Sequence, residues 1–304
     1  CGVCDHQVVR PLIAPADAPV GELVSVYAAP DAEGRREIVL RLRFTKGKPA
    51  RFLSHLELSA ALSRAMTIGG VTFVYFGAFV FYLFQMIFRK DLWGRGAFYI
   101  TLAGLAAHSM GLLLRWRESY ALSIGHVPLA NFYESLIFFA WSVVLLFVMV
   151  ERRSKYRSLG AFVLPVPFLL LAFASLAPNV DSRIQPLVPA LQSNWLTSHV
   201  LTCFMGYAAF TVAFAAGVMY LLRRYPRLRF LPADEILDEL IYRHAALGFV
   251  FLTIGIVTGS VWAHYAWGSY WSWDPKETWS LITWLIYAVM LHVRYVRGWR
   301  GNRM

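Results

Sequence analysis

The chain has 304 residues, 58% of them hydrophobic and only 15% charged, and a formal net charge of +11. Soluble domains average ~45–50% apolar and ~25% charged residues, so these proportions exclude an ordinary soluble enzyme and a disordered chain alike. The positive charge sits in short arginine clusters between apolar runs instead of on one face of a domain, which excludes a nucleic-acid footprint.

Residues 1–65 stand apart from this character. GRREIVLRLRF contains a strand-like IVLRLRF run, and the stretch up to Ala65 follows with the spacing of a short amphipathic helix. Cys1 and Cys4 form a C-x-x-C, which is half of a four-ligand zinc site and does not define one alone. RFTKGKPARFLSHLELSAALSRA resembles a small domain found next to radical-SAM proteins, and CGVCDH resembles the tail of such a protein. At Met66 the chain turns apolar within two residues. Residues 1–65 are therefore expected to be a soluble remnant joined upstream by fusion or sequence assembly, and 66–304 a membrane domain.

Seven apolar runs have the length that crosses a ~30 Å hydrocarbon layer. They are 68–88, 96–114, 132–150, 159–178, 195–222, 245–263 and 275–293. In lipid each backbone polar group must be satisfied within its own segment. The runs are thus predicted to be helices, and the fold an all-α polytopic bundle with a short soluble N-terminal extension. Basic residues follow the first run (Arg89, Lys90, Arg95), the third (Arg152, Arg153, Lys155, Arg157), the fifth (Arg223, Arg224, Arg227, Arg229) and the seventh (Arg294, Arg297, Arg300, Arg303). By the positive-inside rule these connections are cytoplasmic, and the loops near 115–131, 179–194 and 264–274 face outside. Cys203, inside the fifth run, reads as a packed apolar residue.

The third outer loop opens the stretch WGSYWSWDPKETW, residues 267–279, with four tryptophans in thirteen positions. Interfacial anchoring accounts for Trp262 and Trp279 at the span ends; Trp267, Trp271 and Trp273 are denser than anchoring requires and also suit an apolar wall for a flat conjugated ligand. Asp274, Pro275 and Glu277 have the order of an N-cap, a first-turn proline and a capping box, so Asp274 is predicted to start the seventh span. Asn131 and Glu134 have the same spacing at the outer start of the third.

Six histidines lie beyond residue 65. About 20 residues back from Arg223 reach Cys203, which puts His199 one turn higher, at the outer surface beside the tryptophan loop. His264 and His126 lie on the same side. A lone outer histidine reads as an interfacial polar residue; three beside a tryptophan wall raise iron ligation, since imidazole is the usual axial ligand of haem. His292 and His244 lie near the cytoplasmic face, where snorkelling or helix capping also explains them.

The run GIVTGSVWAHYAWGSYWSWDPKETWSLITWLIYAVMLHVRYVRGWRG, with GHVPLANFYESLIFFAW and LQSNWLTSHV upstream, resembles the CcsA/ResC family of cytochrome c biogenesis proteins, bearers of the WWD haem-handling motif. The resemblance covers residues 66–304 and implies transport of haem b from the cytoplasmic side to the outer face of a bacterial inner membrane, with the WWD loop on the periplasmic side. It implies a subunit of a cytochrome c haem lyase or synthetase, a CcsB/ResB-type partner, and an apocytochrome c whose C-x-x-C-H thiols take the haem vinyls. Carried onto this chain, Trp267, Trp271, Trp273 and Asp274 are the haem platform, His199 an outer axial ligand and His292 a ligand of an inner haem. His264, His126 and Trp262 are secondary candidates. Members usually continue with an eighth span and a second outer histidine, so the chain is expected to be truncated.

Two other classes are weighed against this. A polytopic small-solute transporter predicts broken helices around a mid-membrane polar site, for which only the fourth run, with Pro165 and Pro167, qualifies. A haem-bearing electron-transfer subunit predicts histidines paired across facing helices within the lipid. A CcmC-type haem delivery protein is a nearer relative with fewer spans before the tryptophan loop.

Overall fold

The computed structural model describes the backbone at 22–30, 36–43 and 55–67, and whole residues over 68–122, 124–154 and 156–300. Cys1, Cys4, His6 and Lys155 lie outside the described residues. The chain divides into two compact units, Cys1–Ala60 and Ala61–Met304.

In the first unit β1, Glu22–Pro30, pairs antiparallel with β2, Arg36–Arg43, from Glu22 opposite Arg43 to Pro30 opposite Arg36. The strand-like run of the sequence falls in β2. The division between the units lies at Ala60/Ala61, a few residues before Met66. Helix α1, His55–Phe88, passes through both positions, so the short amphipathic helix and the first apolar run are one element.

The second unit is a polytopic helical bundle. Among the described residues, seven helical stretches are long and apolar enough to cross a membrane: Ile68–Phe88 within α1, α2 (Asp91–Ala121), α3 (Phe132–Ser154), Arg157–Leu176, α6 (Asn194–Leu222), α7 (Asp234–Trp267) and α8 (Pro275–Arg297). The fourth consists of a 3-10 turn at Arg157–Leu159, α4 (Gly160–Val163) and α5 (Pro165–Leu176). Pro165 has no N–H to donate, but Leu164 N–H reaches Gly160 O at 3.0 Å and Phe168 N–H reaches Leu164 O at 3.2 Å. The backbone ladder therefore continues on both sides of the break at Leu164.

α7 begins at Asp234, eleven residues before the apolar run, because DEILDELIYRH continues as helix beyond the lipid. Arg294 of α8 is buried against this extension. It pairs with Asp238 at 2.6 Å and Glu239 at 3.5 Å, and lies over the Tyr242 ring at 4.5 Å.

Polar groups lie inside the α1–α3 packing. Tyr75 Oη meets His108 Nδ1 at 3.2 Å, Tyr82 donates to Glu151, and Trp141 Nε1 donates to Ser109 Oγ at 2.8 Å. Arg115 Nε donates to Glu134 at 2.8 Å, with both side chains almost fully enclosed. Asn131 caps α3 through Glu134 N–H at 2.8 Å, as its spacing predicts; Glu134 reaches past the cap residue to Ala130 N–H at 2.8 Å.

Candidate functional site

The tryptophan loop takes its shape from the two helix ends that bracket it. α7 stops where Gly268 adopts the left-handed conformation at φ +78° and returns its N–H to His264 O at 2.9 Å. α8 starts with the predicted capping box: Asp274 Oδ1 accepts from Glu277 N–H at 2.8 Å, and Glu277 Oε2 accepts from Asp274 N–H at 3.4 Å. The same Glu277 oxygen also takes Ser272 N–H at 2.7 Å and Ser272 Oγ at 3.2 Å.

Trp273, between those two amides, has φ +61°. A bulky residue in the left-handed region costs about 1–3 kcal/mol and persists only where its surroundings hold it. Glu277 is what holds it, by binding the amides on either side. Trp273 is thereby turned outward, 69% exposed, and meets Trp271 edge-on with ring centroids 5.7 Å apart and planes at 85°. Trp271 is half-buried, and its indole N–H is enclosed with no hydrogen-bond acceptor.

Glu277→Ala should remove the clamp while leaving every ring in place. Loss of one such end contact costs about 1 kcal/mol, equivalent to roughly fivefold faster amide exchange at Ser272 and Asp274. Hydrogen-exchange mass spectrometry reads this directly; unchanged protection would mean that Trp273 is held by something else.

A second group of rings sits where α6 and α7 meet. Ser193 caps α6 by accepting Trp195 N–H at 3.2 Å. This starts the helix early enough to carry His199 beyond the lipid-matched part of the span. The His199 imidazole lies nearly parallel to Trp262, with planes at 17° and centroids 6.2 Å apart; Trp262 meets Trp267 edge-on at 4.7 Å. Trp262 is fixed by its N–H to Ala190 O at 2.9 Å. Trp267 is 63% exposed. His199 Nδ1 sits 2.7 Å from Gly255 O, and its Nε2 has no hydrogen-bond partner among the described residues.

The other histidines divide. His264 is exposed and stacked on Tyr270 at 4.2 Å with planes at 5°, next to Ser260, whose hydroxyl holds Tyr270 O at 2.9 Å. His126 is buried, with ring nitrogens 2.9 Å from Val127 O and 3.1 Å from Gln185 O, so each faces a loop carbonyl and whichever carries the proton donates to it. His292 is exposed in the C-terminal part of α8 and does not join the His199 group; His244 is buried and bonded to Leu240 O at 2.7 Å. Asp274 is committed to the cap. The structure thus joins His199, Trp262 and Trp267 through ring contacts, and Trp271 with Trp273 in a second pair. The reach of Glu277 back to Ser272 escaped the sequence reading; the capping-box spacing was its only signal.

Among the described residues, no group of three or more His, Cys, Asp or Glu side chains is placed to hold a metal ion. Iron within a porphyrin carries four nitrogen ligands of its own and asks the protein for axial ones only. One imidazole whose Nε2 is unbonded among the described residues, exposed indole faces and an enclosed indole N–H that meets no acceptor among them fit such a ligand.

Fold and site define a class: a polytopic helical membrane protein with a histidine-bearing aromatic loop at one membrane face. The family model described as Cytochrome C assembly protein matches residues 129–304. The cytochrome c biogenesis protein CcsA of Parasynechococcus marenigrum (strain WH8102) is 40% identical over 269 residues, covering 77% of this chain and 86% of that one. CcsA of Chlamydomonas reinhardtii is 42% identical over 200 residues, 63% of this chain, and the chain spans 55% of that relative's length. A solved structure of the cytochrome c heme lyase CcmF shares the fold, with a TM-score of 0.63 at 20% identity over 83% of this chain and 45% of that one. The chain belongs to the cytochrome c assembly protein family.

Proposed function

We propose that residues 66–304 receive haem b and present it at the outer face of a bacterial inner membrane for covalent attachment to apocytochrome c, as the haem-handling subunit of a cytochrome c synthetase. The observation that carries this reading is the His199 imidazole, held in one ring contact series with Trp262 and Trp267 while its Nε2 has no hydrogen-bond partner among the described residues.

In this reading Nε2 of His199 ligates the iron. Trp267, Trp271 and Trp273 cover the porphyrin and keep water from its face, and Trp271 Nε1 finds an acceptor on the ligand. Asp274 and Glu277 hold the rings in place. Attachment adds each substrate thiol across one vinyl group: a C–S bond forms at one vinyl carbon and the thiol proton is delivered to the other. The addition releases no leaving group and needs no oxidant, so the protein contributes position and dryness.

His292 serves an earlier position near the cytoplasmic face. It shares a face of α8 with exposed Ile282, Leu285, Ile286 and Val289. An ionisable ring among apolar side chains in a membrane span calls for cover by another helix, and a CcsB/ResB-type subunit would supply it along with the remaining ligands.

The test is the spectrum of the full chain purified with a CcsB/ResB-type partner. His199→Ala and His292→Ala are each expected to remove part of the haem absorbance and shift what remains. Full haem content and an unchanged spectrum in both variants would refute the site, and a colourless wild type would return the solute-transporter reading.

A further inference from the structure

We propose that Gly255 and Gly259 of α7 are positioning residues for His199: the carbonyl of the first selects the imidazole tautomer that can bind iron, and the bare backbone of the second gives the ring its place. The inference rests on His199 being an iron ligand and adds how that ligand is set.

A carbonyl oxygen only accepts, so at 2.7 Å from Gly255 O the nitrogen Nδ1 of His199 carries the proton. The lone pair is then on Nε2, which faces away from this bond and is the nitrogen available to a metal. A histidine ligand whose second nitrogen donates to a backbone carbonyl is held in orientation and made a stronger electron donor.

The approach that permits this bond is unusually close. A Cβ on Gly259 would stand 2.5 Å from His199 Nδ1 and 2.7 Å from Cε1, so the imidazole lies directly on that backbone. A Cβ on Gly255 would stand 2.6 Å from Cys203 Sγ, one turn below His199 on α6. The thiol itself is 3.7 Å from Nδ1. Trp262, three residues beyond Gly259, lies nearly parallel to the imidazole with ring centroids 6.2 Å apart. Side chains at either glycine would therefore move α6 from α7 at the level where the tautomer is chosen. Gly217 of α6 has open space around it and serves as the control.

The full chain, purified in detergent and loaded with haem b, is compared as wild type and as Gly259→Ala, Gly255→Ala, Gly255→Ala with Cys203→Ala, Gly217→Ala and His199→Ala. The readouts are the absorption and EPR spectra of the ferric haem and its reduction potential. Gly259→Ala is expected to lose the iron–imidazole signature as His199→Ala does, and added imidazole to restore it in both with the haem still co-eluting with monodisperse protein on size exclusion, which separates a lost ligand from a misfolded chain. Gly255→Ala is expected to raise the potential, because a weakened bond to the carbonyl makes the ligand a poorer donor. Removing the Cys203 sulfur in the same chain should bring the potential back. Gly217→Ala should match wild type.

If His199→Ala loses the signature while both glycine variants keep wild-type spectrum and potential, the inference is overturned and the reading of His199 stands. If His199→Ala keeps the signature, the reading itself fails and takes the inference with it. Should Gly259→Ala not accumulate, Gly255→Ala decides: an unchanged potential, or a change that Cys203→Ala does not reverse, refutes the proposal.

Discussion

Replacing Trp267, Trp271 and Trp273 together with alanine should weaken haem retention by the purified protein roughly a thousandfold, taking about 1.5 kcal/mol for each aromatic contact and 1.4 kcal/mol per factor of ten. The rings are outward-facing where a soluble surface would bury them: Trp267 and Trp273 are 63% and 69% exposed. Removing these two costs the folded protein little packing and only half-buried Trp271 contributes to stability, so the main loss should appear in haem affinity and cytochrome c maturation, with a smaller fall in thermal stability. Haem titration of the triple variant beside the wild type checks this. Equal affinity would return the loop to interfacial anchoring, the other role its composition allows.

The second large effect is expected far from these rings. Arg115→Leu should lower stability by about 3–5 kcal/mol, because it strands the Glu134 carboxylate in a site from which water is excluded. The two side chains are 4% and 1% exposed, so solvent screening does little for either. Arg115 also donates to Ser182 O at 2.9 Å and lies over the Tyr133 ring at 5.1 Å. The same change therefore removes one of the attachments of the loop that carries Ala190, the acceptor for Trp262, leaving those at Arg183 O and Gln185 O. Thermal unfolding in detergent measures the loss, and Arg115→Leu with Glu134→Leu should recover most of it. A single variant as stable as the wild type would mean that Glu134 is neutral or finds another partner.

The positions of the spans were legible to within a few residues, because lipid demands a continuous apolar run and a self-satisfied backbone, both properties of local sequence. Their full lengths were not: hydropathy marks the part of a helix inside lipid, and α7 extends beyond it from Asp234, so that Asp238 and Glu239 receive Arg294 while Asp234 pairs with Arg223. The inward faces were also hidden. α2 buries Thr101, His108, Arg115 and Ser119 and turns Leu102, Leu113 and Leu114 outward. Where the solvent is itself apolar, hydrophobicity no longer distinguishes inside from outside, and the buried polar partners come from other helices.

At the site, the capping box at Asp274 was readable, since a helix start depends on neighbours three residues apart. The left-handed turn at Trp273 was not, because it depends on which additional amides one Glu277 oxygen collects. His126 shows the same limit: the sequence placed it on the outer side, but only the loop packing sets its nitrogens against the Val127 and Gln185 carbonyls.

Composition and run length, acting locally and additively, are enough to establish a polytopic helical membrane protein and to single out its tryptophan loop and His199 as candidates. The tertiary structure alone decides which nitrogen of His199 is free, which rings touch and which are clamped. Those outcomes depend on approaches of a few tenths of an ångström between helices far apart in the chain.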